Sequence, residues 1–156
     1  FSVIRGNLSE IKNIAGIKVV TKGVDTSEIG DTSSKMEEEK EIAQQLSKKL
    51  NAVIAITGEV DCISSEDKSY YIANGHKILS KITGTGCMCS SLIGSFCGAE
   101  SDYLMAAVAG IASMGIAGEI AYEKTKNLGI GSFKASLMDS IYNLDLNIYK
   151  ERSKIY

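Results

Sequence analysis

The sequence is poor in the residues that build metal and nucleic-acid sites. It has a single histidine, His76, and none of its four cysteines lies in a CxxC pair, which argues against a zinc site. Its 17 basic residues are outnumbered by 19 acidic ones, and the net charge of −2 provides no basic surface for nucleic acid. Proline is absent altogether, and the sequence offers no physical reason for that absence.

Long apolar segments are also missing. The longest, residues 104–118, is shorter than the roughly 18 residues of a membrane span and is rich in alanine and glycine, so we expect a buried helix. No charged-then-apolar segment of a secretory signal begins the chain, which favours a cytoplasmic location with reduced thiols. Residues 1–4 have the pattern of a core strand and include no methionine. We therefore expect the later part of a longer polypeptide.

The residues that are present suit a globular α/β domain. The length of 156 residues and the apolar share of 44% fit one domain with a sizeable core. Strands are predicted at residues 2–5, 19–24, 52–57, 60–64 and 69–73, and helices at 7–15, 34–50, 87–97, 102–126 and from 132 onward, with a polar, frayed tail over 147–156. Because strands first alternate with helices, the order predicts a parallel three-layer α/β domain.

Short motifs at the predicted helix starts indicate how these helices are capped. Asn7 and Glu10 stand at capping-box spacing, as do Ser34 and Glu37, and Ser132 is expected to cap the last helix. For Asn7 and Glu10, satisfying the N–H groups of their own helix is a sufficient explanation of the pattern.

Side-chain periodicity gives further expectations. The second helix is predicted to bury a stripe of Ile42, Leu46 and Leu50 beside Ala43, and the charged run at 37–41 is expected to face solvent. His76 follows Asn-Gly and is expected to be a surface turn residue without a partner.

A glycine-threonine loop that runs into a helix of small residues is the strongest functional signal. Residues 82–95 have the sequence ITGTGCMCSSLIGS, and Cys87 falls in the expected first turn of the helix. Glycine lets a ligand approach the backbone, and the free N–H groups of a helix start attract anions. A thiol at such a place ionises more easily than usual. A plain tight turn and a packed cysteine would give the same pattern, and the loop by itself does not decide between these interpretations.

Five motifs in chain order resemble the hydroxyethylthiazole kinase family: VIRGNLSEI, VTKGVD, VIAITGEVD, NGHKILSKITGTGCMCSSLIGSF and the GSF before the last helix. The cysteine after the glycine loop, where most ribokinase relatives carry aspartate, is the most specific mark. The resemblance implies a three-layer ribokinase-like fold with a mostly parallel central sheet, forming a single domain over residues 1–156. It also implies an ATP- and Mg²⁺-dependent kinase that phosphorylates the primary hydroxyl of 4-methyl-5-(2-hydroxyethyl)thiazole in thiamine salvage.

The resemblance assigns roles to individual residues in the first part of the chain. Arg5 and Thr57 match positions that contact ATP, with Thr57 near the phosphates. Asn7 and Glu10 match the N-x-x-E motif beside the nucleotide, in which the glutamate helps to hold magnesium through water.

The resemblance extends to the glycine loop. Gly84 matches a substrate-binding glycine, and Thr85 and Gly86 complete an anion hole for the transferred phosphoryl group. Cys87 matches the residue next to the substrate hydroxyl, where it serves as a proton acceptor or orients that hydroxyl.

The family pattern is longer than this chain by roughly a hundred residues at the front. That front part supplies early strands, part of the thiazole pocket and a further acidic magnesium residue, and the family forms homotrimers with active sites between subunits. Three alternatives stay open: a hydroxymethylpyrimidine kinase, a non-catalytic nucleotide-binding or assembly fragment, and a redox protein that uses Cys87 and Cys89. If the protein is a kinase, Cys89→Ser should leave its kinase activity largely intact. A redox protein that uses the two cysteines would lose its redox activity.

Overall fold

The computed structural model describes residues 1–17 and 32–156, and the chain divides into two compact units, Phe1–Tyr70 and Tyr71–Tyr156. The strand predicted at residues 19–24, with its VTKGVD motif, lies outside the described residues, as does the polar loop after it up to residue 31.

The described strands form one sheet in the order β1-β2-β3-β4. They are β1 (Val3–Gly6), β2 (Val53–Ile56), β3 (Asp61–Ser64) and β4 (Ser69–Ile72), each within two residues of its predicted bounds. β1 runs parallel to β2, with Val3 opposite Val53 and Gly6 opposite Ile56. β2 runs antiparallel to β3, with Ile54 opposite Ser64. The described sheet is therefore mixed, and its parallel part is the β1–β2 pair.

The apolar run of β2 makes it the buried centre of the first unit. All four of its residues are buried, as expected for a continuous apolar strand covered on both faces. Two helices belong to the same unit, α1 (Leu8–Ala15) and α2 (Thr32–Leu50). α2 packs against β2 and β3.

The predicted boundaries and buried face of α2 need correction. The helix already includes Thr32, so Ser34 and Glu37 lie inside it and do not form a capping box. Ala43 and Leu46 are buried as predicted, but Leu50 is 40% exposed because the helix ends there. The charged run is not wholly solvated either: Glu39 is only 6% exposed, because it lies one helical turn before Ala43 on the packed face.

The second unit is built around one long helix, α4. A short 3-10 helix (Lys77–Lys81) is followed by α3 (Thr85–Ala99), α4 (Tyr103–Thr125), α5 (Ile130–Tyr142) and α6 (Leu146–Arg152). α4 is capped by Asp102, whose carboxylate accepts hydrogen bonds from the backbone N–H groups of Leu104 and Met105. By length and composition α4 could cross a membrane, but 78% of its most apolar 18-residue window is buried in the fold. The predicted buried helix is thus confirmed.

Three glycines let other segments approach the α4 backbone closely. A Cβ atom on Gly110 would lie 2.8 Å from the backbone of Ile93 in α3, and one on Gly115 would lie 2.7 Å from Asn74. A Cβ on Gly118 would lie 2.8 Å from the side chain of Leu79. All three distances are shorter than a real Cβ contact. Glycine is required at positions 110 and 115, where the Cβ would meet backbone atoms, whereas at position 118 it would meet the end of the Leu79 side chain, which can shift.

The end of the chain is ordered, which corrects two predictions. α5 starts at Ile130 with Gly129 as its N-cap, so Ser132 lies inside the helix and is not a cap. The tail predicted to fray contains α6, and Tyr156 then pairs with Tyr71 through backbone hydrogen bonds of 2.7 and 3.1 Å.

His76 has partners that the sequence did not indicate. Its ring stacks on Tyr122 with centroids 3.6 Å apart, and its Nδ1 accepts a hydrogen bond from the backbone N–H of Ile78. The residue lies in the connection after β4, but it has extended backbone, is half-buried and caps the 3-10 helix, so the predicted surface turn is corrected.

Candidate functional site

Parallel pairing of β1 and β2 brings two predicted ligand residues together at the carboxyl ends of the strands. Arg5 lies near the end of β1, and Thr57 follows β2 directly. The Nη2 atom of Arg5 donates a hydrogen bond of 2.7 Å to Oγ1 of Thr57. The backbone N–H of Thr57 donates to the carbonyl of Gly6 at 2.8 Å, which extends the strand ladder by one residue. The carboxyl ends of parallel strands are where α/β sheets bind ligands.

The guanidinium group of Arg5 has unused capacity to bind an anion. Its Nε atom is buried and has no hydrogen-bond partner. Among residues 1–17 and 32–156, no carboxylate forms an ion pair with Arg5. A buried donor without a partner is costly, and a phosphate oxygen would satisfy both the donor and the charge.

Asn7 and Glu10 form the predicted capping box at the start of α1. The backbone N–H of Asn7 donates to Oε2 of Glu10 at 2.7 Å, and the backbone N–H of Glu10 donates to Oδ1 of Asn7 at 2.9 Å. The structural role of the pair is therefore confirmed. The side chain of Glu10 is exposed, and its second oxygen, Oε1, lies outside the capping pair.

Gly6 makes room for this carboxylate. A Cβ atom on Gly6 would lie 3.0 Å from both Cβ and Oε2 of Glu10, so a larger residue would displace the glutamate. Within the described residues, no cluster of three or more His, Cys, Asp or Glu side chains could hold a metal ion. Glu10 nevertheless fits Mg²⁺, because this ion commonly takes one or two carboxylates and completes its shell with water and substrate phosphates.

Asp61, the first residue of β3, is a charged neighbour of Arg5 that the sequence did not single out. It is 9% exposed, and its Oδ1 accepts a hydrogen bond of 2.9 Å from the backbone N–H of Gly58. Burial raises the pKa of Asp61 to about 6, against the lowering effects of the Gly58 hydrogen bond and the Arg5 charge. The sequence feature that could have identified Asp61 is its position as the one acidic residue in the otherwise uncharged predicted strand 60–64.

In the second unit, the glycine loop ends in a helix start with free N–H groups. Gly84 is the N-cap of α3, with φ of 100° and no side-chain capping bond. The first hydrogen bond of the helix joins the N–H of Met88 to the carbonyl of Gly84 at 2.9 Å, so the N–H groups of Thr85, Gly86 and Cys87 precede the helical ladder. The first turn contains no acidic residue, and these three groups offer donors to an anion.

The side chains of this turn have different tasks. The hydroxyl of Thr85 donates to the carbonyls of Leu79 and Ile82 at 3.0 and 3.1 Å, which ties the loop to the 3-10 helix. Because the single hydroxyl proton is shared between these two carbonyls, the backbone N–H is the donor that Thr85 offers to an anion. Cys87, the third residue of α3, lies in the first turn as predicted, and it is exposed.

The predicted site residues thus form two groups. Arg5, Asn7, Glu10 and Thr57 lie around the ends of β1 and β2 in the first unit, and residues 84–87 form one helix start in the second unit.

Comparison with known proteins identifies the family. A model described as the hydroxyethylthiazole kinase family matches residues 1–147. A hydroxyethylthiazole kinase of Clostridium tetani is 54% identical over 156 residues, which are all of this chain and 57% of that protein. One of Alkaliphilus oremlandii is 51% identical over 155 residues, covering 99% of this chain and 55% of that protein.

A solved structure gives the same result for the fold. The hydroxyethylthiazole kinase protein from Pyrococcus horikoshii OT3 superposes with a TM-score of 0.83 at 30% identity, covering 99% of this chain and 54% of that one. The α/β fold with its mixed sheet is therefore consistent with the ribokinase-like fold implied by the sequence motifs. The chain spans about half the length of the curated relatives it matches. Because the family model covers nearly all of its residues, the chain belongs to the hydroxyethylthiazole kinase family.

Proposed function

We propose that this chain provides the nucleotide and phosphoryl-transfer elements of a kinase that phosphorylates the hydroxyl of 4-methyl-5-(2-hydroxyethyl)thiazole, with ATP as donor, in thiamine salvage. The observation that carries the proposal is the buried, unpaired Nε of Arg5 at the end of β1, on a guanidinium group that also bonds the Thr57 hydroxyl. Such a cation matches a phosphate chain, and the family relationship supplies the thiazole alcohol as acceptor.

In this proposal the first unit holds the nucleotide. Arg5 and Thr57 contact the phosphates, and Asn7 fixes the start of α1 beside them. Glu10 would hold Mg²⁺ through water, and the ion would neutralise phosphate charge during transfer. Phosphoryl transfer needs positioning and charge neutralisation more than covalent help, which suits a site of one arginine, hydroxyl groups and backbone donors.

The helix start of α3 holds the acceptor and the transferred group. Gly84 lies against the thiazole alcohol, and the N–H groups of Thr85 and Gly86 stabilise the oxygens of the phosphoryl group in flight. The substrate oxygen forms a bond to the γ-phosphorus as the bond to the leaving ADP oxygen breaks. The hydroxyl proton passes to an acceptor beside it, for which Cys87 is the candidate.

Oligomer and location complete the proposal. We propose a cytoplasmic homotrimer with active sites at subunit interfaces. Exposed apolar side chains at Met138, Tyr142 and Leu146 support a protein-covered surface on the second unit. Light scattering on the purified protein tests the trimer, and a monomer at micromolar concentration would contradict it.

The test of the reaction is ATP-dependent phosphorylation of hydroxyethylthiazole, measured on the complete gene product and on this 156-residue chain side by side. Turnover by the complete product supports the proposal, and the second sample shows whether these residues suffice. If neither turns over, with both folded and Mg²⁺ present, the proposal fails. ATP binding without turnover would then indicate a non-catalytic nucleotide-binding protein. A hydroxymethylpyrimidine in the substrate panel distinguishes the related kinase.

A further inference from the structure

We propose, on the basis of the proposed nucleotide site, that Asp61 is a positioning residue: its buried carboxylate fixes the turn after β2 and holds the Arg5 guanidinium in the direction of the phosphates. The residue lies on β3, at the far end of the turn that starts with Thr57. It touches neither nucleotide nor thiazole in this proposal, and it acts through Arg5 and the turn.

The geometry of the turn links Asp61 to the Arg5 guanidinium. Residues 57–60 connect β2 to β3, and Oδ1 of Asp61 accepts the N–H of Gly58 at 2.9 Å. The bond crosses the turn directly after Thr57, the residue that accepts the hydrogen bond from Arg5. A displacement of the turn would therefore move the Thr57 hydroxyl and, with it, the guanidinium.

The charges around Arg5 provide a second link. Two charged side chains from other elements act on Asp61 of β3: Arg5 on β1 and Glu39 on α2. The Arg5 charge favours the ionised form of Asp61, and the Glu39 charge disfavours it. No direct ion pair joins Arg5 to either carboxylate within the part of the chain described. Asp61 thus places a negative charge near Arg5 without accepting a hydrogen bond from it, and the Nε of Arg5 stays available to a phosphate.

The hydrogen bond from the N–H of Gly58 does not by itself explain why residue 61 is charged. An asparagine oxygen would accept the same N–H of Gly58 and would carry no charge into the interior. Burial of a carboxylate opposes folding, since it raises the pKa of Asp61 to about 6. A role in holding the neighbouring cation gives a reason for a charged group here, whereas turn formation alone does not.

The test compares Asp61→Asn with Glu59→Gln in the complete protein. Both substitutions neutralise one carboxylate of the same turn, but Glu59 is exposed and Asp61 is buried. Mg²⁺-ATP affinity is measured by titration calorimetry without thiazole, and KM is measured for each substrate. Asp61→Asn is expected to weaken ATP binding about tenfold and to leave KM for thiazole within about twofold. Glu59→Gln is expected to change neither.

Two further measurements separate positioning from a structural role. The thermal midpoint of Asp61→Asn at about pH 8 should equal or exceed that of the unmodified protein, because a buried charge has been removed. In an Arg5→Gln background, Asp61→Asn should have no additional effect on ATP affinity, because it acts through the missing guanidinium. An equal loss of affinity in both backgrounds, or a lowered midpoint with both substrates weakened alike, would overturn the assignment.

The remaining outcomes are also decisive. If the unmodified protein binds ATP and Asp61→Asn binds it equally well, Asp61 is not a positioning residue although the proposed function stands. If the unmodified protein binds no ATP, the proposed nucleotide site fails, and the role of Asp61 fails with it. Calorimetry needs no turnover, so a protein that binds ATP but does not phosphorylate thiazole still tests Asp61.

Discussion

The guanidinium group of Arg5 donates a 2.7 Å hydrogen bond to the hydroxyl of Thr57, a residue 52 positions later in the chain. The parallel register of β1 and β2, with Gly6 opposite Ile56, is what places the two side chains at one end of the sheet. The pair therefore depends on the fold, and each partner can be tested separately.

Removing the Thr57 hydroxyl should weaken nucleotide binding. Thr57→Val keeps the shape of the side chain but leaves Nη2 of Arg5 without its acceptor, and we expect ATP affinity to fall about tenfold. Thr57→Ser is the matched control, because it retains the oxygen and should stay within about threefold of the unmodified protein. Titration with ATP measures both. Equal affinities for Val and Ser would show that the hydroxyl is not used.

Substitution of Gly84 should cost stability through backbone strain. Its φ of 100° is unfavourable for L-residues, while an added methyl group would meet nothing within 4 Å, so Gly84→Ala should lower the free energy of unfolding by about 1–2 kcal/mol. Gly129→Ala is the control, since Gly129 is also an N-cap in open space but has φ of −84°. Denaturant unfolding compares the two. A similar cost at both positions would contradict the strain argument.

Cys87→Asp should retain or raise turnover. It places a carboxylate, a better proton acceptor than a thiol, beside the proposed position of the substrate hydroxyl. It also adds the first acidic side chain to the first turn of α3, which should stabilise the helix by about 0.3–1 kcal/mol. Initial rates and thermal unfolding measure the two effects. A well-folded but inactive Asp variant would show that Cys87 is neither base nor hydroxyl partner.

Cys89→Ser provides a control for the redox hypothesis. Cys89 is buried, two residues after Cys87 in α3. Its substitution should leave phosphorylation largely unchanged, whereas a redox pair would lose its activity. Loss of phosphorylation in a folded Cys89→Ser variant would favour the redox alternative.

Stability should depend on pH through Asp61. Because burial raises its pKa from 3.8 to about 6, the folded state binds the proton more tightly than the unfolded state. The free energy of unfolding should therefore fall as pH rises from about 4 to about 6, by up to about 3 kcal/mol from this group, and level off above that range. Denaturant unfolding across this range, compared with Asp61→Asn, isolates the effect. A difference between the two proteins that does not vary with pH would contradict it.

Close packing against α4 predicts opposite effects for two glycine-to-alanine changes. In Gly115→Ala the new methyl group would lie 2.7 Å from Asn74, and we expect a loss of about 1–3 kcal/mol from overpacking. In Gly94→Ala, on the exposed side of α3, the methyl group meets nothing within 4 Å, and helix propensity should stabilise the protein by about 0.5–1 kcal/mol. Thermal unfolding of both variants measures the contrast, and the same sign for both would refute it.

Local patterns predicted the elements whose signals lie within a few residues. The capping box of Asn7 and Glu10, the buried strand β2 and the start of α4 at Asp102 depend on neighbours in sequence, and all three are present. Ser132 was misassigned because serine is a good cap by type, whereas Gly129 takes the position without a side-chain bond. α6 did carry a local signal, since Asp145 caps it by accepting from the N–H of Ile148.

Burial of single polar residues was not predictable in the same way. Acidic side chains are mostly exposed, so residue type predicts that Glu39 and Asp61 face solvent, whereas both are buried. Their burial is decided by the packing of α2 against β2 and β3, which joins segments far apart in sequence. The placement of Arg5 at a strand end and of Cys87 in the first turn of α3 was predictable, while their chemical roles stay predictions until measured.

Two of the contact glycines of α4 also restrict how the gene can change length. Gly110 and Gly115 each meet the backbone of a different segment, so the helix fits its neighbours in one rotational setting only. One inserted or deleted codon between them would turn the rest of the helix by about 100° and carry side chains into spaces that admit none. We expect natural length variation to be absent from this stretch and to collect in the connection between α4 and α5, at residues 126–129.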